Sequence, residues 1–215
     1  MQNISKSNNQ YPDLAYVDIR KLEPVYEKAR ELLSEEEKNR TDAFLRRDDK
    51  LRYTSARLIE KYYGYSDIKR IGEYGKPIID NGGYNISHAG DYVFIFRSEK
   101  TETGVDVESV NHIFDGIESY AFSEDERKHI NCKEDALKYW VMKESSSKLK
   151  GTGLGGSAKK NEIKVIDENT LEYNGEKLYY KIFRKEEYLI CITSKEIIEV
   201  DDYKELDVNN LMENY

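Results

Sequence analysis

Leu33-Ser34-Glu35-Glu36-Glu37-Lys38 and Phe122-Ser123-Glu124-Asp125-Glu126-Arg127 share one form, apolar-Ser-acid-acid-Glu-base, at an offset of 89 positions. Each reads as a capping box at a helix start: the serine hydroxyl accepts from the backbone N–H three residues on, and the glutamate there reaches back. A second echo, Asp49-Lys50-Leu51-Arg52-Tyr53 against Asp135-Ala136-Leu137-Lys138-Tyr139, comes at an offset of 86. Two echoes at nearly one offset point to a duplication. Each half then holds a capped helix, a longer helix and a run of strands.

The segments after the helices agree with that. In the first half, beyond Gly75-Lys76-Pro77, residues 84–87, a polar turn at His88-Ala89-Gly90-Asp91, residues 92–97, a turn at 98–103 and residues 104–108 read as an antiparallel meander. In the second, residues 163–166, 170–173, 178–183 and 188–193 are short apolar or alternating runs, with the hairpin signal Asn174-Gly175 between two of them. The expected fold is α+β: a pseudodimer of two similar α+β subdomains, residues 1–103 and 104–215, each with antiparallel strands packed on helices. They join near residues 98–112, and the cleft between them is the place for a ligand.

The 215 residues are enough to bury a core, and 38% are hydrophobic, yet no apolar run approaches the roughly 18 residues of a membrane span. The longest, residues 92–96 and 188–192, are strand-sized. Residues 1–10 lack an apolar h-region and a small-residue cleavage site, so a cytoplasmic protein is expected. Cys132 and Cys191 form no CxxC pattern, which excludes a disulfide framework and a cysteine zinc site. A formal net charge of -8 argues against bulk binding to nucleic acid or an anionic membrane, so an anionic partner must meet a local basic patch. Only 3 prolines against 18 tyrosines argue against extended disorder, except at the ends, where residues 1–10 and 209–215 are expected to fray.

Four clusters carry candidate chemistry. Gly104-Val105-Asp106-Val107-Glu108 alternates, which turns Val105 and Val107 to a core and sets Asp106 and Glu108 on the other face about 6–7 Å apart. Hard divalent cations such as Mg²⁺ take such carboxylates; a solvated acidic strand face is the plainer explanation of the pentapeptide alone. In residues 136–148, Leu137, Trp140, Val141, Glu144 and Lys148 share a helical stripe, so an acid and a lysine edge the core, where a surface i,i+4 ion pair is the alternative. Asn85-Ile86-Ser87-His88-Ala89-Gly90 ends a strand in a polar turn suited to a phosphate or ribose, or simply to capping itself. It is no hydrolytic pair, because no Gly-x-Ser-x-Gly elbow exists. Arg40, Arg46, Arg47, Arg52, Arg57, Lys61 and Lys76 form either a solvated helix face or a phosphate-binding wall.

Gly151-Thr152-Gly153-Leu154-Gly155-Gly156 matches GxGxxG formally, but a dinucleotide fingerprint follows a strand and opens a helix. This stretch follows a helix, so it reads as a helix stop with Gly151 in the left-handed cap position, then a loop. A Walker A sequence and a kinase catalytic loop are both absent.

Taken in order, Gly75-Lys76-Pro77, Asn85-Ile86-Ser87-His88, Gly104-Val105-Asp106-Val107-Glu108, Phe122-Ser123-x-x-Glu126 and Trp140-Val141-Met142-Lys143-Glu144-Ser145-x-x-Lys148-x-x-Gly151-x-Gly153-Leu154 resemble the 4'-phosphopantetheinyl transferases, nearest to the surfactin-synthetase-activating type. The motifs span about residues 32–156 in the family's order. That family folds as a pseudodimer of α+β subdomains. The resemblance implies transfer of the 4'-phosphopantetheinyl group from coenzyme A to a serine of an apo acyl or peptidyl carrier protein, with release of adenosine 3',5'-bisphosphate.

By the same resemblance, Asp106, Glu108 and Glu144 match magnesium ligands, with Asp106 also near coenzyme A. Lys76, Ser87 and His88 match coenzyme A contacts, Lys148 the lysine near the pyrophosphate, and Arg40 and Arg52 basic positions at the 3'-phosphate. Ala89 stands where many members carry Ser, and Glu37 at a commonly basic place. Glu144 is the expected base for the carrier serine and Lys148 its catalytic partner. Lys128, Lys133 and Lys138, flanked by Phe114 and Phe122, are the candidate face for an acidic carrier. A monomer is expected, since a duplicated chain holds a complete site. The competing readings are a catalytically silent coenzyme A or carrier-binding module and a magnesium-dependent phosphodiesterase or nuclease.

Overall fold

The computed structural model describes residues 11–111, 118–154 and 158–214. Residues 1–10, Phe114, Gly155, Gly156 and Tyr215, on which some expectations fell, lie outside the described residues. The chain forms β1 (Leu14–Asp18), α1 (Ile19–Leu22), α2 (Tyr26–Glu31), α3 (Glu35–Ala43), α4 (Arg47–Tyr62), β2 (Arg70–Ile71), β3 (Pro77–Ile78), β4 (Gly83–Ala89), β5 (Tyr92–Ser98) and β6 (Thr103–Ser109). Then come α5 (Glu118–Ala121), α6 (Glu124–Arg127), α7 (Lys133–Lys150), β7 (Ile163–Asp167), β8 (Thr170–Tyr173), β9 (Glu176–Lys185), β10 (Tyr188–Ser194), β11 (Lys204–Glu205) and α8 (Val208–Glu213). The fold is α+β, with short 3₁₀ turns between elements.

Both capping boxes form. Ser34 Oγ accepts from the Glu37 N–H at 3.3 Å while Glu37 Oε2 accepts from the Ser34 N–H at 3.0 Å. Ser123 and Glu126 repeat this at 3.2 and 2.7 Å. The second box is built deeper. Glu126, fully buried, also takes the Lys143 ammonium at 2.6 Å and the Ile163 N–H at 2.7 Å. Lys143 in turn donates to the Ala121 and Ala158 carbonyls, so one buried pair ties α7 to the segments on either side of it.

Two large sheets run β11-β1-β5-β4 and β6-β10-β9-β8-β7, beside a small β2–β3 pair. In each large sheet the half's first strand pairs antiparallel with the second strand of its hairpin: β1 with β5 and β5 with β4, then β6 with β10 and β10 with β9. Period-two side-chain alternation sends each strand's residues to two cores. Ala15, Val17, Val93 and Ile95 pack under α4. Leu14, Tyr16, Tyr92, Phe94 and Phe96 meet Val105, Val107, Tyr188, Ile190 and Ile192 between the sheets. Leu189 and Cys191 pack under α7 with Leu137 and Val141. Burial on both faces explains why residues 92–96 and 188–192 are unbroken apolar runs.

Two expectations are corrected. The segment from 209 does not fray over its described part: Asp207 caps α8 by accepting from the Asn210 N–H at 2.9 Å, and Leu206, Val208 and Leu211 join the core under α4. β11 pairs parallel with β1, so the end of the chain closes the first sheet. His88 and Ala89 belong to β4, and the turn narrows to Gly90-Asp91. Among the described residues no helix is long and apolar enough to cross a membrane.

The close approach of α7 to β6 rests on Gly104. A Cβ there would fall 1.9 Å from the Ser145 carbonyl oxygen and 2.8 Å from the Leu149 nitrogen, backbone atoms that cannot step aside. Gly104→Ala is therefore expected to lower unfolding stability by about 3 kcal/mol, the upper range for overpacking, read as a fall in the urea midpoint at unchanged m-value.

Candidate active site

The two large sheets meet along their edges, β4 of one against β6 of the other. Edge strands leave backbone groups unpaired, and here Ser87 Oγ accepts from the Val107 N–H at 3.3 Å. The same hydroxyl donates to Asp106 Oδ1 at 3.0 Å, across the seam. From α7 above, Lys148 Nζ donates to Asp106 Oδ1 at 2.7 Å and to Ser87 Oγ at 2.8 Å. Ser87 thus uses its one donor and two acceptors inside the protein. Asp106 is 4% exposed, and its Oδ2 is buried with no hydrogen-bond partner among the described residues.

Glu144 stands one helical turn before Lys148 on α7. Burial, then the neighbouring Asp106 charge, push its carboxyl up to about 7; Lys148 pulls it down and Glu108 adds to the rise. Three carboxylates therefore feel one another here. They are not gathered as ligands: among the described residues no three His, Cys, Asp or Glu side chains converge closely enough to hold a metal ion. Lys148 takes the place of a cation at Asp106 Oδ1. The chemistry of the set still fits a hard cation, because Asp106 keeps a buried oxygen with no hydrogen-bond partner among the described residues, and the Glu144 carboxyl, raised first by burial and then by Asp106, lies beside it.

Beside this cluster opens a cleft of about 910 Å³. Arg40, Arg52, Lys76 and His88 of the first half and Glu144 and Lys148 of the second all line it. Ser87 and Asp106 do not; they lie behind Lys148, in the seam. Of the basic wall, Arg57 also faces the cleft, whereas Arg46, Arg47 and Lys61 stand outside it. Arg52 is anchored by Asp49 at 2.8 Å and by the Gly90 carbonyl at 2.8 Å. Arg40 and Arg57 stack on Tyr53, their guanidinium carbons 5.8 and 5.1 Å from its ring centre. His88 keeps a solvent-exposed edge, but the cleft walls desolvate the ring, and Arg52 and Lys148 add positive charge. Its pKa falls below the usual imidazole value, which leaves it neutral at pH 7.

Sequence reasoning missed the far end of the cleft. There the buried Glu60 accepts from Tyr84 Oη at 2.7 Å, pairs with Arg57 at 2.9 Å and takes the Lys69 ammonium. It missed Glu102 as well, the partner of Lys76. Gly151 behaves as expected, ending α7 at φ 65°, ψ 30°. The proposed carrier face is less basic than its lysines suggest, since Lys128 pairs with Asp125 and Lys138 with Glu134 at 3.5 Å.

Residues 102–204 match the family model ACPS, the 4'-phosphopantetheinyl transferase superfamily. The match spans just under half of the chain and takes in β6, α7 and the whole second sheet, hence Asp106, Glu108, Glu144 and Lys148. Arg40, Arg52, Lys76, Ser87 and His88 lie outside it. A search of curated proteins gives no match.

The raised carboxyl of Glu144 has a thermodynamic consequence. Its ionised form costs nothing below pH 4.5, the ordinary glutamate value, costs more as pH rises from there, and costs fully above about 7. In metal-free protein, Glu144→Gln is expected to be more stable than the unmodified chain at pH 8 by on the order of 2 kcal/mol. The difference should vanish at pH 4.5, in paired urea unfolding curves.

Proposed function

We propose that this chain is a 4'-phosphopantetheinyl transferase of the surfactin-synthetase-activating type, fused from two related halves and acting as a cytoplasmic monomer. Its reaction moves the 4'-phosphopantetheinyl group of coenzyme A to a serine of an apo acyl or peptidyl carrier protein and releases adenosine 3',5'-bisphosphate. One observation carries the reading: a single cleft unites Arg40, Arg52, Lys76 and His88 with Glu144 and Lys148, and the second group falls within the family match.

The chemistry asks mostly for positioning and charge compensation. The carrier serine oxygen attacks the β-phosphorus, the bond from that phosphorus to the bridging oxygen breaks, and the bisphosphate leaves with the bond's electrons. Lys148 neutralises charge on the pyrophosphate. Arg40 and Arg52 hold the 3'-phosphate end, where planar guanidinium groups match phosphate geometry, and Lys76 and His88 line the path between. Glu144 accepts the serine proton, directly or through a water. Asp106, Glu108 and Glu144 would hold Mg²⁺, which supplies charge neutralisation at the pyrophosphate when bound. Ser87 acts from behind, orienting Asp106 and Lys148.

Intact-protein mass spectrometry of an apo carrier protein incubated with the chain, coenzyme A and Mg²⁺ should show a gain of one phosphopantetheinyl group, lost with EDTA. Coenzyme A bound without any gain, across fatty-acid, polyketide and peptidyl carriers, would instead indicate a silent binding module. Glu144→Gln should reduce turnover at least a thousandfold, as expected for loss of a positioned base together with a cation ligand, while calorimetry still detects coenzyme A binding. For the acidic carrier, reversing the charge of Lys128, Lys133 and Lys138 together should raise its KM and leave that of coenzyme A unchanged. An unchanged carrier KM would move the docking face elsewhere.

A further inference from the structure

Lys76 reaches the cleft from the turn between β2 and β3, where Tyr74 (φ 56°) and Gly75 (φ 80°) both take left-handed backbone conformations. Only 12% of its side chain is exposed, because it crosses from the first half to the second. The stem lies over Gly151, where a Cβ would fall 2.7 Å from Lys76 Cδ. Nζ donates to Glu102 Oε1 at 2.7 Å and to the Leu149 carbonyl in the last turn of α7. The other oxygen of Glu102 takes the Lys195 ammonium. Glu102 lies just ahead of β6, the strand of Asp106, and Leu149 directly follows Lys148.

An ammonium has three N–H donors and no acceptor. Fixing two of them fixes the direction of the third and removes most of the rotamer freedom that a four-carbon stem otherwise loses on binding. The two lysines around Glu102 outweigh its single charge, so the carboxylate orients Lys76 without cancelling its attraction for an anion.

We infer that Glu102 is a positioning residue: with the Leu149 carbonyl it aims the third N–H of Lys76 at a phosphate oxygen of the donor bound in the cleft. This rests on the coenzyme A reading above. Lys76 then couples three things that must agree: the β2–β3 turn, the lead-in to the acidic strand, and the end of the helix bearing Glu144 and Lys148.

The test measures coenzyme A affinity by calorimetry, and kcat and both KM values by turnover, on the full chain. Glu102→Gln should weaken coenzyme A about tenfold, the scale of one charge-assisted hydrogen bond, at unchanged kcat and unchanged KM for the carrier. Glu102→Asp should recover part of the loss. Lys76→Met should lose at least as much, and adding Glu102→Gln to it should cost nothing more. Unchanged affinity in Glu102→Gln, or losses that multiply in full in the double variant, would overturn the inference. Should Glu102→Gln fail to fold, Glu102→Asp carries the test, and coenzyme A affinity equal to that of the unmodified chain would overturn it. An unmodified chain that binds no coenzyme A would remove the donor reading, and this inference with it, an outcome distinct from normal binding that ignores Glu102.

Discussion

A carboxylate taken out of water costs several kcal/mol unless charge and hydrogen bonds replace its hydration. Asp106 is 4% exposed, and two side chains answer that cost at its Oδ1, while Oδ2 has no hydrogen-bond partner among the described residues. Ser87 comes from the edge of the other sheet, Lys148 from α7, and the β6 backbone supplies the Asp106 position itself. None of these elements can shift by much without stranding a buried charge. Gly104, two residues earlier on the same strand, lets α7 settle close enough for Lys148 to reach. The seam thus fixes the relative placement of β4, β6 and α7, and with it the cleft.

The cores on either side keep the seam closed. β5 and β10 lie in the middle of their sheets and are apolar on both faces, one face under a long helix and the other against the opposite sheet. Neither half can cover the shared layer alone, since Tyr92, Phe94 and Phe96 need Tyr188, Ile190 and Ile192 across from them. The end of the chain adds a further tie, because β11 and α8 complete the first half after the second has been built. The cleft therefore lies beside two sheets whose mutual packing is hydrophobic and extensive, which suits a site that must hold charges at set distances.

Much of this was legible, for identifiable reasons. The capping boxes at Ser34 and Ser123 are local chemistry, complete within four residues, and both form. The stripe of Leu137, Trp140, Val141, Glu144 and Lys148 follows from helical period alone, as the alternation of β6 follows from strand period. What escaped depends on partners far away in sequence. Residues 14–18 are a short run that becomes a strand because β5 pairs with them. α8 has three apolar residues that mean little until the core under α4 receives them. Glu102 meets Lys76 across 26 positions, and no local pattern announces such a pairing. Ser87 and His88 part company for a related reason: adjacent strand residues point to opposite faces, so His88 lines the cleft while Ser87 bonds across the seam.

A chain of net charge -8 can still present a local cationic surface. The cleft's first-half wall sets Arg40, Arg52, Arg57, Lys69 and Lys76 against Glu36, Glu37, Asp49 and Glu60, while the second half brings Glu144 and Lys148. At the Debye length of about 8 Å in physiological salt, a ligand inside the cleft feels this local pattern and not the distant surface acids. Within the wall Asp49 is held by Arg52, and Glu60 by Arg57 and Lys69, so neither of these carboxylates faces a ligand unpaired. Burial, and then the nearby Asp106 charge, raise the carboxyl of Glu144. An anion in the cleft therefore meets the arginine groups of the first half, and on the other side Lys148 beside the raised carboxyl of Glu144.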